Sequence, residues 1–187
     1  MAQLSYDSMR NLILDNFPFL RDAAVFTPEL LTALFWEESG FQNIPQMGGG
    51  PAVGFGQVER ATIKMVNKAF NMNFTPEKIL ADDGLSVQIA SYTLSLLLRS
   101  TRNKLAALNG YAGASANPAN APIPGRWLEC EKQLLAVHAS DRSADGTSAF
   151  ERLTYVLSAA AIKKALKAAK PSSNPDVAFP SSRGIAI

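Results

Sequence analysis

The sequence predicts a mainly α-helical domain around a central buried helix, with at most a small β-hairpin. Three observations predict it. Residues 86–108 carry the longest helical repeat: Val87, Ala90, Leu94, Leu97, Thr101, Leu105 and Leu108 step by three and four, with Ser91 and Leu98 widening the stripe. The start signal Thr-Pro-Glu occurs twice, at Thr27-Pro28-Glu29 and at Thr75-Pro76-Glu77, pairing an N-cap Thr with Pro at the first helical position. No strand pattern stands out beyond residues 54–58.

Composition bounds the class. The chain has 187 residues, 47% of them hydrophobic and 18% charged, enough to bury a core in one domain. The net charge of +2 is no footprint of a nucleic-acid binder. A single cysteine, Cys130, excludes an internal disulfide. No run reaches the roughly 18 apolar residues of a membrane span. The start Met-Ala-Gln-Leu-Ser-Tyr-Asp lacks the basic-then-apolar pattern of a secretory signal.

Taken in order, Ser5 or Asp7 caps a first helix to about Asn16, with Met9, Leu12 and Ile13 as its apolar stripe. Phe17, Phe19 and Leu20 continue the apolar run around Pro18. A second helix spans 27–39; Trp36 on it reads as core more readily than as a sugar platform. Residues 42–53, with Gly48-Gly49-Gly50 and two prolines, form a loop. No Gly-Lys-Ser/Thr follows, so this is not a phosphate loop. Glu59 or Arg60 opens a helix to about Met72, and Thr75 opens a short one to Leu80. Asp82-Asp83-Gly84 is the most metal-like cluster, but without further oxygen ligands it reads as a turn and cap. The long helix 86–108 stops at Asn109-Gly110, and a loop follows over 111–125. Helix returns over 126–137, with Cys130 and His138 needing no chemical role. After a polar connection at 141–147, a last helix covers 148–169 with Phe150, Leu153, Leu157, Ala160 and Ala161 apolar. Lys163, Lys167 and Lys170 suit its C-terminal end. Residues 1–170 thus form one domain, and 171–187, rich in Pro and Ser, an extended C-terminal tail.

The chemistry gathers at the end of the second helix. Leu30, Leu34 and Glu38 fall at i, i+4 and i+8, so Glu38 continues an apolar face close to the helix C-terminus. Burial and the negative helix end both disfavour a charge there, as suits a general acid. Glu37 leaves the helix about 100° away, toward solvent or a salt bridge.

Glu38-Ser39-x-Phe41 followed by Gly54-Phe55-Gly56-Gln57 resembles the lytic transglycosylase branch of the lysozyme-like superfamily. The second stretch stands for the family's Gly-Leu-Met-Gln, with Gly56 at the position of the usual Met. A third motif, Tyr-Asn-Ala-Gly, resembles Gly110-Tyr111-Ala112-Gly113, with the Tyr shifted by one residue. The resemblance covers about residues 27–127 and implies a lysozyme-like helical domain. It implies one catalytic acid/base, Glu38, with Ser39, Phe55, Gln57 and Tyr111 binding substrate and no metal or cofactor.

The implied activity is cleavage of the MurNAc-GlcNAc β-1,4 bond of peptidoglycan, leaving 1,6-anhydro ends. Glu59, two residues past Gln57, is a possible second carboxylate and leaves a hydrolytic muramidase as the alternative. A virion protein that keeps the fold without turnover is a third reading. The expected partners are glycan strands and, through the tail, other virion proteins, with no nucleic acid and no membrane span. Without a signal, the chain is expected to be made in the cytoplasm and to reach the cell wall by phage lysis, a virion or a dedicated secretion system.

Overall fold

The computed structural model describes residues 3–16, 22 and 25–145. Phe17, Phe19 and Leu20, the expected helix over 148–169 and the tail 171–187 lie outside the described residues. The protein is mainly helical, as its sequence predicts. Helices α1 (Tyr6–Asn16) and α2 (Pro28–Ser39) are followed by a short antiparallel hairpin of β1 (Ala52–Val53) and β2 (Val58–Glu59). Then come α3 (Arg60–Phe70), α4 (Pro76–Ala81), α5 (Asp83–Thr101), α6 (Lys104–Tyr111) and α7 (Pro122–Asp145).

Local chemistry sets the helix starts. The hydroxyls of Thr27 and Thr75 accept the N–H groups of Leu30 and Lys78, and Asp82 accepts that of Leu85. Asp82 therefore works as a cap, as read from the sequence. Thr27 is also tied outward. Its hydroxyl donates to Glu131, whose carboxylate binds Lys104 Nζ at 2.9 Å. One buried carboxylate thus joins the start of α2, the start of α6 and the middle of α7.

The central buried helix is α5. It packs against α1, α3, α4, α6 and β2, and it buries Val87, Ile89, Ala90 and Leu94. Small polar residues on its buried face are satisfied locally: Ser91 and Thr93 donate to the carbonyls of Val87 and Ile89. Helix α2 lies across α1 and α7, contributing Leu30, Leu31, Leu34 and Phe35 to the same core.

Several boundaries differ from the expectation. The run 86–108 is not one helix. It breaks at Arg102, whose φ of 54° is left-handed, and Asn103 caps a new helix by accepting Ala106 N–H. Thr101 helps by accepting Asn103 N–H while donating to Leu97 O. Thr101 and Leu105, placed on the buried stripe by their spacing, are consequently exposed. The chain also does not stop at Asn109-Gly110, since α6 continues to Tyr111. A Cβ at Gly110 would lie 3.0 Å from Leu97 Cδ2, so this glycine serves close packing of α6 on α5. Finally, the loop expected over 111–125 is shorter. It holds a 3-10 turn at Pro118–Asn120, and α7 already starts at Pro122, since prolines in a first turn break no helical bond. Helix α7 then runs through the expected connection to Asp145.

Candidate active site

Glu38 occupies the last turn of α2, and only 8% of it is exposed. The helix is closed immediately afterwards. Gly40 takes a left-handed φ of 61° and returns its N–H to Trp36 O. Ser39 donates to Phe35 O (3.1 Å) and accepts Gln42 N–H (3.3 Å). Its hydroxyl therefore fixes the chain leaving the helix, a structural duty the sequence reading did not assign to it.

The loop after α2 is firmly held except at its tip. Asn43 Nδ2 donates to Ile79 O and to Asp83. Gly54 N–H donates to Ile44 O, and Gln46 N–H to Ala52 O. Met47, Gly48 and Gly49 remain exposed.

Gln57, expected to bind substrate, is buried and donates from Nε2 to Ile44 O (3.1 Å) and Gly54 O (2.8 Å). It locks the hairpin to the loop. Phe55, also expected at the substrate, is fully enclosed. Its ring meets Phe35 at 5.9 Å, and its N–H donates to Ser86 Oγ at 2.8 Å. The side chains of Phe55 and Gln57 thus shape the turn from inside.

Tyr111 joins the pieces. It is 1% exposed, and its hydroxyl donates to Gly56 O at 2.8 Å. Trp127 packs edge-on against its ring at 6.0 Å. Burial pushes the Tyr111 hydroxyl well above the ordinary tyrosine range, and the charge of nearby Glu38 pushes it the same way. The phenol therefore stays neutral beside the carboxyl. A Cβ at position 56 would lie 2.3 Å from the Tyr111 oxygen and 2.8 Å from the Ala90 Cβ. Gly56 and the placement of Tyr111 are thus one steric solution: the small residue makes the space that the phenol fills.

The neighbouring carboxylates have different situations. Glu37 pairs across to Arg126 of α7, with Arg126 Nε 3.1 Å from its carboxylate. Glu59 is the N-cap residue of α3 without a side-chain capping bond, and it stands opposite Ala52 in the hairpin. Partial burial raises its carboxyl above the usual range. Cys130 is buried, its thiol pushed up to about 12 chiefly by that burial and then by Glu37 and Glu129. It is a packing residue rather than a nucleophile. Among the described residues no three His, Cys, Asp or Glu side chains gather as a metal site.

The structure therefore brings Glu38, the Gly56-Gln57 turn and Tyr111 together from three separate stretches. Sequence reasoning missed Arg126 and Trp127, which support Glu37 and Tyr111 from α7. Their only signal was an Arg-Trp pair in a helical run, with nothing local to name its partners. Set beside protein-family models, curated proteins and solved structures, the chain shows no significant match to any. Among the described residues no helix is long and apolar enough to cross a membrane.

Proposed function

We propose that the chain is a peptidoglycan lytic transglycosylase of lysozyme-like fold, with Glu38 as its single acid/base. The observation that carries this reading is the enclosed Glu38 carboxyl at a helix end, beside a buried Tyr111 that is bonded to the Gly56-Gln57 turn. A carboxyl so enclosed, with a neutral phenol nearby, suits proton donation to a glycosidic oxygen.

In the proposed reaction Glu38 gives its proton to the leaving oxygen as the C1–O bond breaks. The substrate's 2-acetamido oxygen stabilises the oxocarbenium-like carbon. The Glu38 carboxylate then takes the proton of the C6 hydroxyl, whose oxygen closes on C1 to give the 1,6-anhydro end. The acid is regenerated and no water is consumed. Glu37 is unsuited to the role, since Arg126 holds its carboxylate.

Hydrolysis is the second reading, with Glu59, two residues past Gln57 at the start of α3, as its second carboxylate. Product masses separate the two: muropeptides released from purified cell walls are one water lighter by transglycosylation than by hydrolysis. Peptidoglycan as substrate places the site of action outside the cytoplasm, with delivery in a phage virion or during lysis. A clear zone without released muropeptides in either form would leave neither reading standing.

A further inference from the structure

Helix α3 has two unlike faces. Thr62, Ile63 and Val66 are buried, and the helix packs on α5 and β2. Arg60, Lys64 and Lys68 are exposed and fall at i, i+4 and i+8, so they form one stripe. The helix carries no acidic residue, and its other exposed positions, Ala61, Met65 and Ala69, add no charge. At its far end the exposed Arg99 of α5 lies over the Phe70 ring, with Cζ 4.5 Å from the centroid, and extends the positive surface. We infer, on the footing of the function proposed above, that this face binds the stem-peptide carboxylates of a peptidoglycan strand whose glycan occupies the candidate active site.

The charge of this face is uncompensated over most of its length. Two acids stand near its start. Glu59 is the N-cap residue, and Glu77 has its carboxyl held low by its own backbone N–H and by Thr75, and least by Arg60. Lys64, Lys68 and Arg99 form no ion pair among the described residues. Like charges at i and i+4 repel, so an anionic ligand gains by neutralising them. With a net charge of +2 the chain has no general excess of positive charge to explain the stripe.

The stripe also starts at the right place. Arg60 lies three residues past Gln57, and its N–H donates to Pro51 O at 3.3 Å, which ties the first turn of α3 to the hairpin. The turn before it is the one whose Gly56 carbonyl accepts the Tyr111 hydroxyl. From there the stripe runs along the helix for roughly 12 Å, at about 1.5 Å per residue. Each muramic residue of a strand bears a peptide with free carboxylates, so a strand seated at the turn brings a row of anions beside α3. Stem peptides are flexible, and a lysine ammonium on its four-carbon stem can follow a carboxylate without a fixed fork geometry.

Co-sedimentation with purified peptidoglycan at low salt tests this. Lys64→Glu combined with Lys68→Glu should bind about fivefold or more weaker than wild type. Arg102→Glu combined with Lys132→Glu makes the same change of charge at exposed positions elsewhere and should stay within about twofold. Added salt should shrink the difference between the first variant and wild type. Peptidoglycan with its carboxyls amidated should hold wild type about as weakly as the intact wall holds the first variant. Equal binding by wild type and the Lys64/Lys68 variant, or undiminished binding to the amidated wall, would overturn the inference. Stripe-dependent binding that is tighter to anionic phospholipid vesicles than to the wall would assign the face to a membrane surface and overturn it as well. If the reversed variant does not fold, Lys64→Gln combined with Lys68→Gln decides, with an expected loss of about twofold or more. Muropeptide release is read in parallel. Release without stripe-dependent binding overturns this inference and leaves the proposed function standing, whereas stripe-dependent binding without release supports the stripe and removes that function.

Discussion

The smallest scale at which the site can be examined is the contact between Gly56 and Tyr111. Gly56→Ala introduces a methyl where the phenol oxygen and Ala90 already stand, and it should cost about 1–3 kcal/mol. Tyr111→Phe leaves the Gly56 carbonyl without its buried partner and should cost about 1–3 kcal/mol as well. The two costs should not add. Removing the phenol oxygen removes the nearest clash, so Gly56→Ala should be cheaper in the Tyr111→Phe background. Urea unfolding of the four proteins measures this, and equal costs in both backgrounds would show that the phenol does not fill that space. Glu59 offers a second test at this scale. Burial raises its folded pKa, so the acid form is the one that folding favours. Its contribution is fully present below the unfolded carboxylate pKa of about 4.3 and is lost as pH rises through the folded value. Glu59→Gln should therefore match wild type in acid and become modestly more stable above that window, the effect kept small by solvent screening. A variant less stable at neutral pH would mean that the carboxylate has a favourable partner at the α3 N-terminus.

At the scale of elements, the break between α5 and α6 has a signed consequence. In a continuous helix, glycine at position 102 would cost about 1 kcal/mol. At a left-handed cap, Arg102→Gly should instead stabilise by about 0.5–1 kcal/mol, because it relieves the positive φ. Thermal melting gives the sign directly, and destabilisation would restore a single helix over 86–108. This break also shows what the sequence made legible. Helix starts at Thr27, Thr75 and Asp82 were readable because a cap and its N–H lie within one turn. The hairpin near 54–58 was readable from its glycines. The α5–α6 break was hidden because the apolar spacing continues through it, although Thr101 and Asn103 carry the polar signal for it. Of the candidate site, the place of Glu38 on the buried face at the end of α2 was legible from its helical spacing. The inward roles of Phe55 and Gln57 were not, since motif position does not say which way a side chain turns. Nor were Glu37–Arg126 and Tyr111–Trp127, which depend on how α7 packs against α2 and α6.

At the largest scale the described residues form a helical frame that encloses the Glu38 carboxyl near Tyr111 and the Gly56-Gln57 turn. Helix α5 supports the hairpin through Ser86, α6 delivers Tyr111, and α7 secures Arg126 against Glu37. The proposed activity would require all of these at once, and so would test the frame as well as the residue. The Glu37→Gln variant loses a partly buried ion pair and should cost about 1–3 kcal/mol in stability. If Glu38 is the acid/base as proposed, Glu37→Gln should nevertheless stay within about a few-fold of wild type in activity. The most direct measurement compares muropeptide release from purified peptidoglycan by wild type, Glu37→Gln and Glu38→Gln, with folding of each checked by circular dichroism. Wild type and Glu37→Gln should release 1,6-anhydro products, and a folded Glu38→Gln should lose about 10²–10⁴-fold of that release. Full activity in Glu38→Gln, or no release by the wild-type chain, would contradict the proposed function.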